Sequence, residues 1–196
     1  AMATTGACIA AVRKVLKNRA TLRVVPPFYK HPAFIQPLAE SLADVDEHLL
    51  FSYHGLPIRH LKKMDSPDYR VQCMETTKAI VAKAGIPEER YSVSFQSRLG
   101  RAKWMEPYTE QTLQDLPQQG IKRLAVVCPG FFCNCLETLE EIGVRGRKTF
   151  MEAGGESFRM IPCLNDSPAA VKCLESLIND VGNRPIYPHN SSCKLS

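Results

Sequence analysis

Several sequence features that would point to a common function are missing from this chain of 196 residues. No apolar run approaches the roughly 20 residues that cross a bilayer, so we expect no membrane-spanning helix. Neither GxGxxG nor GxxxxGK[ST] occurs, so nothing in the sequence supports a nucleotide-binding phosphate loop. No two cysteines have the CxxC spacing of zinc fingers and thioredoxin-like sites. The sequence therefore does not indicate a membrane-spanning, nucleotide-binding, zinc-finger or thioredoxin-like protein.

Strong charge of one sign is also missing. The net charge is +5 with a pI near 8.8, and the 25 basic residues are scattered along the chain rather than collected in one tract. No nucleic-acid recognition motif accompanies them, so we expect a solvated surface and no nucleic-acid partner. The mild positive charge is also compatible with binding of anionic ligands.

The start of the chain, AMATTGACIAAVRK, lacks the charged and apolar regions of a secretory signal. We therefore expect a cytoplasmic protein with reduced thiols, and we leave peripheral contact with a membrane open. Most of the eight cysteines are expected to be small buried hydrophobic residues.

Helical patterns alternate with short apolar runs along the whole chain. Five runs are predicted strands: TLRVV (21–25), LLFSY (49–53), YSVSFQS (91–97), IKRLAVVC (121–128) and SFRMIPC (157–163). About six helices are predicted, over 9–16, 32–42, 67–84 with Ser66 as N-cap, 107–116, 135–143 and 168–178. Because strands joined through helices need crossover connections, we expect an α/β fold with a doubly wound, mostly parallel sheet and helices on both faces. One domain over residues 1–182 is expected, followed by a loosely ordered tail over 183–196.

The stretch HLLFSYHGLPIRHL places His54 just beyond a short buried strand that Gly55 and Pro57 end. Two other strands also end in unusual clusters, one with Gln96, Ser97 and Arg98 and the other with a Pro-Gly pair before an acidic helix. The carboxyl ends of parallel strands meet at one edge of a sheet, which is where open α/β sheets bind their ligands. The sequence predicts a site at this edge.

The acidic helix carries Glu137 and Glu141 four residues apart, with Glu140 beside them. Residues at i and i+4 share a helix face. Such acids are also common in a first helical turn, where they only complement the helix dipole. Beside an imidazole, however, they suit the handling of protons or of a divalent metal.

Four long strings occur together and in order: FSYHGLP, VSFQSRLGRAKWMEPYT, AVVCPGFFCNCLETLEEI and AGGESFRMIPCLND. Together they closely resemble ferrochelatase, the enzyme that inserts ferrous iron into a porphyrin to form haem. The resemblance covers most of the chain, from about residue 4 to 180, and points to the C-terminal portion of the bacterial enzymes. It implies that the family's N-terminal lobe is absent from this chain.

The resemblance implies roles for individual residues. His54 and Glu137 are expected to be catalytic, and His54, Glu137 and Glu141 are expected to bind the metal. The expected porphyrin-binding residues are Tyr53, Gln96, Ser97, Arg98 and Trp104.

The implied reaction is that of a lyase acting on a porphyrin, protoporphyrin IX or coproporphyrin, with ferrous iron as substrate and no required cofactor. The implied protein partner is a separate N-terminal lobe. No iron–sulfur cluster is expected, although Cys128, Cys133, Cys135 and Cys163 near strand ends leave one alternative. Two other functions stay open: a porphyrin- or metal-binding domain without turnover, and a cobalt or sirohydrochlorin chelatase.

Overall fold

In a computed structural model of the chain, residues 6–17, 19–61 and 67–182 are described. Ser66 and the tail over 183–196 lie outside these ranges. The strands are β1 (His48–His54), β2 (Tyr91–Gln96), β3 (Arg123–Val127) and β4 (Ser157–Met160). They form one sheet in the order β2-β1-β3-β4, and every neighbouring pair is parallel. The predicted α/β fold is confirmed.

The helices lie largely where the sequence predicts them. They are α1 (Ala7–Leu16), α2 (Pro32–Glu40), α3 (Ile58–Leu61), α4 (Tyr69–Ala84), α5 (Thr109–Gln118), α6 (Leu136–Leu139), α7 (Arg147–Glu152) and α8 (Pro168–Gly182). The side chain of Asp68 caps α4, accepting a hydrogen bond from the Val71 N–H at 3.0 Å, so Pro67 precedes the cap instead of opening the helix. The short helix α3 was not predicted.

The fifth predicted strand, over residues 21–25, is wrong: this segment has irregular backbone and is not part of the sheet. Arg23 instead donates hydrogen bonds to the carbonyls of Val181 and Gly182, so the segment crosses the end of α8. β-Branched residues favour a strand chiefly where a neighbour offers pairing and packing, and this segment has no strand beside it.

Helices cover both faces of the sheet because buried side chains alternate along β1. Leu49, Phe51 and Tyr53 join a core with α2, α4 and α8, whereas Leu50 joins a second core with α5 and α7. This alternation is the period of two that a strand imposes on its side chains. None of the helices in the described part of the chain combines the length and the apolar character needed to cross a membrane.

Buried thiols should make the fold sensitive to alkaline pH. Burial raises the pKa of Cys73 from 9.0 to about 12, and it also raises the pKa of Cys128 and Tyr69. A thiol in the unfolded chain ionises near its ordinary pKa, so above pH 9 the unfolded state releases protons that the folded state keeps. Stability is therefore complete below that pH and is lost as pH rises toward the folded pKa. We expect Cys73 alone to lower the free energy of unfolding by about 2 kcal/mol between pH 9 and about pH 10.5.

Urea unfolding at neutral pH, pH 9 and about pH 10.5 measures this loss. Cys73→Ala should flatten the pH dependence, whereas Cys8→Ala, which changes an exposed thiol, should not. A free energy of unfolding that stays constant over this range would contradict the prediction.

Candidate active site

The carboxyl ends of β1 and β3 form the part of the sheet edge where a ligand is expected. The chain leaves β1 through α4 to reach β2 on one side, and it leaves β3 through α7 to reach β4 on the other. Ligands of open α/β sheets bind where neighbouring strands have such diverging connections. His54 ends β1, and the loop after β3 leads to Glu137.

The His54 side chain lies at the end of β1, and one of its ring nitrogens forms a hydrogen bond. Its Nδ1 lies 2.6 Å from the carbonyl oxygen of Gly55. A carbonyl oxygen only accepts, so Nδ1 carries the hydrogen in the neutral ring. Nε2 has no hydrogen-bond partner among the described residues. The neutral imidazole therefore keeps Nε2 as a proton acceptor.

Two aromatic rings flank this imidazole. The centroid of the Trp104 ring lies 6.5 Å from the centroid of the His54 ring. The centroid of the Phe131 ring lies 6.3 Å from the same His54 centroid. Phe131 was missed by the sequence analysis, although its position directly after Pro129 and Gly130 at a predicted strand end was a usable signal. The two rings provide apolar surface next to a titratable group.

Gly55 makes the approach of Trp104 possible. A β-carbon at Gly55 would lie 3.0 Å from the Gln96 carbonyl oxygen and 3.4 Å from Cε3 of Trp104. The backbone of Trp104 also forms an isolated bridge with Pro57, and its indole N–H donates to the Leu99 carbonyl at 3.0 Å. The indole is thus held over the turn that follows His54.

Glu137 lies in the first turn of α6, which a reciprocal cap begins. The Cys135 N–H donates to the hydroxyl of Thr138 at 2.9 Å, and the Thr138 N–H donates to the Cys135 sulfur. A hydrogen bond from the Cys135 thiol lowers the pKa of Glu137, and its own backbone N–H and the charge of nearby His54 act in the same direction. Glu137 is therefore ionised at neutral pH.

The helix that was predicted over 135–143 is divided, since a π-helix (Glu141–Gly146) follows α6. The half-buried Glu141 carboxylate accepts hydrogen bonds from the N–H of Ser97 at 2.7 Å and from its hydroxyl at 2.6 Å. Ser97 has a φ of 65°, a left-handed conformation that is unfavourable for a residue other than glycine. The two hydrogen bonds compensate this strain, and we call the pair the Glu141–Ser97 latch.

The predicted ladder of acids is not a single row. The Glu140 carboxylate pairs with Arg145 at 2.9 Å, so Glu137, Glu140 and Glu141 have different partners. Among residues 6–17, 19–61 and 67–182, no group of three or more His, Cys, Asp or Glu side chains is arranged to hold a metal ion. Of the three expected metal-binding residues, Glu141 is engaged by Ser97, and His54 makes the smallest of the contributions that lower the pKa of Glu137.

The remaining predicted residues have different environments. Tyr53 is buried in the core, where its hydroxyl forms a 2.8 Å hydrogen bond with Thr77, and Gln96 is buried at the end of β2. Arg98 is exposed, with its guanidinium carbon 4.4 Å from the centroid of the Tyr108 ring. Ser97, Arg98 and Trp104 thus lie at the surface side of this edge, and Tyr53 and Gln96 lie beneath it.

The loops after β3 and β4 are joined by asparagine side chains that the sequence analysis did not assign. The Asn134 amide oxygen accepts from the Cys163 N–H at 3.0 Å, and the Asn165 amide oxygen accepts from the Asn134 N–H at 2.8 Å. Cysteines 128, 133, 135 and 163 lie around this junction as free thiols. In the described part of the chain they form no group of three or more that is arranged to hold a metal ion.

Comparison with known proteins gives one family. A family model described as Ferrochelatase matches residues 1–181. A ferrochelatase from Pseudomonas entomophila is 48% identical over 180 residues, which cover 79% of this chain and 53% of that protein. A ferrochelatase from Pseudomonas paraeruginosa is 47% identical over 193 residues, which cover 85% of this chain and 57% of that protein.

A solved structure of a cobalamin biosynthesis CbiX protein from Marinobacter aquaeolei aligns with a TM-score of 0.44 and 14% identity, covering 70% of this chain and 98% of that one.

The chain spans about half the length of the curated relatives that it matches. The match of the family model, in contrast, extends over nearly all of the chain. By this match, and by its identity with the two Pseudomonas proteins, the chain belongs to the ferrochelatase family.

Proposed function

We propose that this chain inserts ferrous iron into a porphyrin. The observation that carries the proposal is His54 at the carboxyl edge of the sheet, with no partner for its Nε2 among the described residues and with an ionised glutamate and two aromatic rings nearby. Membership of the ferrochelatase family supports the same reaction.

His54 is the proposed proton acceptor. A free porphyrin carries two pyrrolic N–H groups, and both protons must leave as a divalent metal enters. The neutral imidazole with Nδ1–H bonded to Gly55 has Nε2 available for this transfer. No other titratable group is needed to hold the ring in this tautomer, because a backbone carbonyl does so.

Glu137 is proposed to attract the iron and to pass protons from His54 to solvent. Its ionised carboxylate suits a borderline cation such as ferrous iron, for which carboxylate and imidazole are acceptable ligands. The lowered pKa of Glu137 keeps that carboxylate charged at neutral pH. The proposed role of Glu141 is to accept the hydrogen bonds of the Glu141–Ser97 latch, and not to bind iron.

Trp104 and Phe131 are proposed to contact the porphyrin plane. A flat apolar macrocycle favours aromatic walls, and binding energy from such walls can distort the ring so that a metal reaches its nitrogens. The exposed Arg98 guanidinium is proposed to attract the acidic substituents of the porphyrin. Tyr53 has no role at the surface in this proposal because its ring is buried and its hydroxyl is bonded to Thr77.

The proposal includes the setting of the reaction. Residues 1–182 act as one domain in the cytoplasm, with no required cofactor and with a separate N-terminal lobe as protein partner. Peripheral contact with a membrane stays open.

A second candidate is binding of a porphyrin without turnover, which the match to the ferrochelatase family does not favour over metal insertion. A cobalt or sirohydrochlorin chelatase is not favoured, since the relatives named above are ferrochelatases.

An anaerobic assay with a free-base porphyrin and ferrous iron separates the candidates. Quenching of porphyrin fluorescence together with a metalloporphyrin absorption spectrum is the result expected for the proposed reaction. The assay is run with and without a separately supplied N-terminal lobe from a Pseudomonas relative. Binding without metalloporphyrin in both arms would support the second candidate, and absence of binding in both would overturn the two together.

A further inference from the structure

Gln96 lies directly between the two residues to which catalysis is assigned above. It is the last residue of β2, and in the parallel register it is paired with His54, the last residue of β1. Its side chain is 3% exposed. The sequence resemblance implied contact with the porphyrin, but burial beneath the edge leaves Gln96 little surface for a ligand.

The hydrogen-bonding capacity of its carboxamide is fully used. The amide nitrogen donates to the Glu137 carbonyl at 2.7 Å and to the Glu141 carboxylate at 3.3 Å. The amide oxygen accepts from the Ser52 hydroxyl at 2.8 Å and from the Cys128 thiol at 3.6 Å. Two donors and two acceptor positions are all that a glutamine side chain has, so none is left for a substrate.

The backbone of Gln96 binds the segment that follows His54. Its carbonyl oxygen accepts a hydrogen bond at 2.8 Å from the N–H of Gly55, the residue that follows His54. One residue therefore binds the His54 segment through its main chain and the Glu137 segment through its side chain. We infer that Gln96 is a positioning residue, which sets the separation of His54 and Glu137 and does not contact the porphyrin.

This inference rests on the proposed function, because it matters for turnover only if His54 and Glu137 act together. A hydrogen-bonded support around reacting groups typically contributes about 10- to 100-fold to activity. Loss of the support should lower kcat and leave KM for the porphyrin close to its wild-type value, since the binding surface is unchanged.

Gln96→Met is the appropriate variant, because methionine keeps the volume and removes the amide donors. The Ser52 hydroxyl still has Thr109 as partner at 2.9 Å, and the Glu141 carboxylate still has Ser97. Ser52→Ala is the matched control, since it removes a hydrogen bond from the oxygen side of the same carboxamide and leaves the bond to Glu137. Gln96→Leu is a second variant of similar size and without charge, in case the methionine form is poorly folded.

Hydrogen exchange in the full chain provides a readout that does not depend on activity. In Gln96→Met we expect faster exchange of the amides over residues 136–140, with exchange in β1 and β3 unchanged, and a kcat reduced by about 10- to 100-fold. In Ser52→Ala we expect neither faster exchange over residues 136–140 nor the fall in kcat. Unchanged exchange over 136–140 in both Gln96 variants, or faster exchange with an unchanged kcat, would overturn the positioning role.

The two proposals fail in different ways. If wild-type protein shows no metal insertion with or without an added lobe, the proposed function fails. In that case faster exchange over 136–140 still supports Gln96 as the residue that holds Glu137, and unchanged exchange overturns that as well.

Discussion

His54→Ala is expected to reduce metal insertion by about 100- to 10,000-fold, which is the usual contribution of general acid–base catalysis. Alanine removes the imidazole of His54, and with it the acceptor for the pyrrolic protons. The fold should survive, because the side-chain bond of His54 in the structure is to the carbonyl of its own neighbour, Gly55. Initial rates of metalloporphyrin formation, measured with wild type and variant at equal porphyrin saturation, give the size of the effect.

His60→Ala is the control for this experiment, since His60 is an exposed histidine on α3. Porphyrin binding by His54→Ala should weaken far less than turnover, because Trp104 and Phe131 are still present. A His54→Ala rate equal to that of wild type would remove the proposed proton acceptor and leave the family relationship untouched.

Glu141→Ala and Glu141→Gln are expected to differ sharply. Alanine removes the Glu141–Ser97 latch and leaves Ser97 in a left-handed conformation without its compensating hydrogen bonds. Hydrogen bonds to a charged group contribute about 1.5 to 3 kcal/mol each, so we expect the free energy of unfolding to fall by about 3 kcal/mol. Glutamine keeps an oxygen for the Ser97 N–H and a polar atom for its hydroxyl, so most of this stability and most of the activity should remain.

The comparison separates two roles for Glu141. An iron ligand needs its negative charge, so under that role both variants would lose metal insertion to a similar degree while Glu141→Gln remained stable. The latch role expects a large loss only with alanine. Urea unfolding and metal-insertion rates measured on both variants decide between the two roles, and equal inactivation by glutamine would show that the latch is not the main function of this residue.

Sequence patterns located most of the fold correctly. Apolar runs such as Leu49–Phe51 that end at Gly or Pro became β1 and β3, because a buried strand carries the same signature wherever it lies in the sheet. The pair Ser167-Pro168 is a typical helix start, and the Ser167 hydroxyl accepts from the Ala170 N–H at 3.1 Å at the beginning of α8. The run over 21–25 is richer in β-branched residues than β1 or β3, yet it forms no strand, since strand formation depends on a neighbour that sequence composition does not reveal.

The site was predicted less completely than the fold. Placement of His54 and of the acidic helix at one edge followed from strand ends in a parallel sheet. The functions of Gln96 and Glu141 did not follow, because both depend on which atoms lie opposite them after folding. Spacing of four suggested that Glu137 and Glu141 share a helix face, but a π-helix begins at Glu141 and directs the two carboxylates to different partners.

The order of residues along this chain was enough to determine an α/β sheet, a histidine at its carboxyl edge and a family, since each of these depends on local pattern or on whole strings of residues. Tertiary structure alone decided that Tyr53 and Gln96 are buried beneath that edge, that Phe131 flanks His54, and that Ser97 is strained and held by Glu141. The physical reason is that hydrogen bonds and ring contacts between residues some 40 to 80 positions apart depend on the register of neighbouring strands and on the path of the loops beyond them. Neither of these is encoded in any single stretch of sequence.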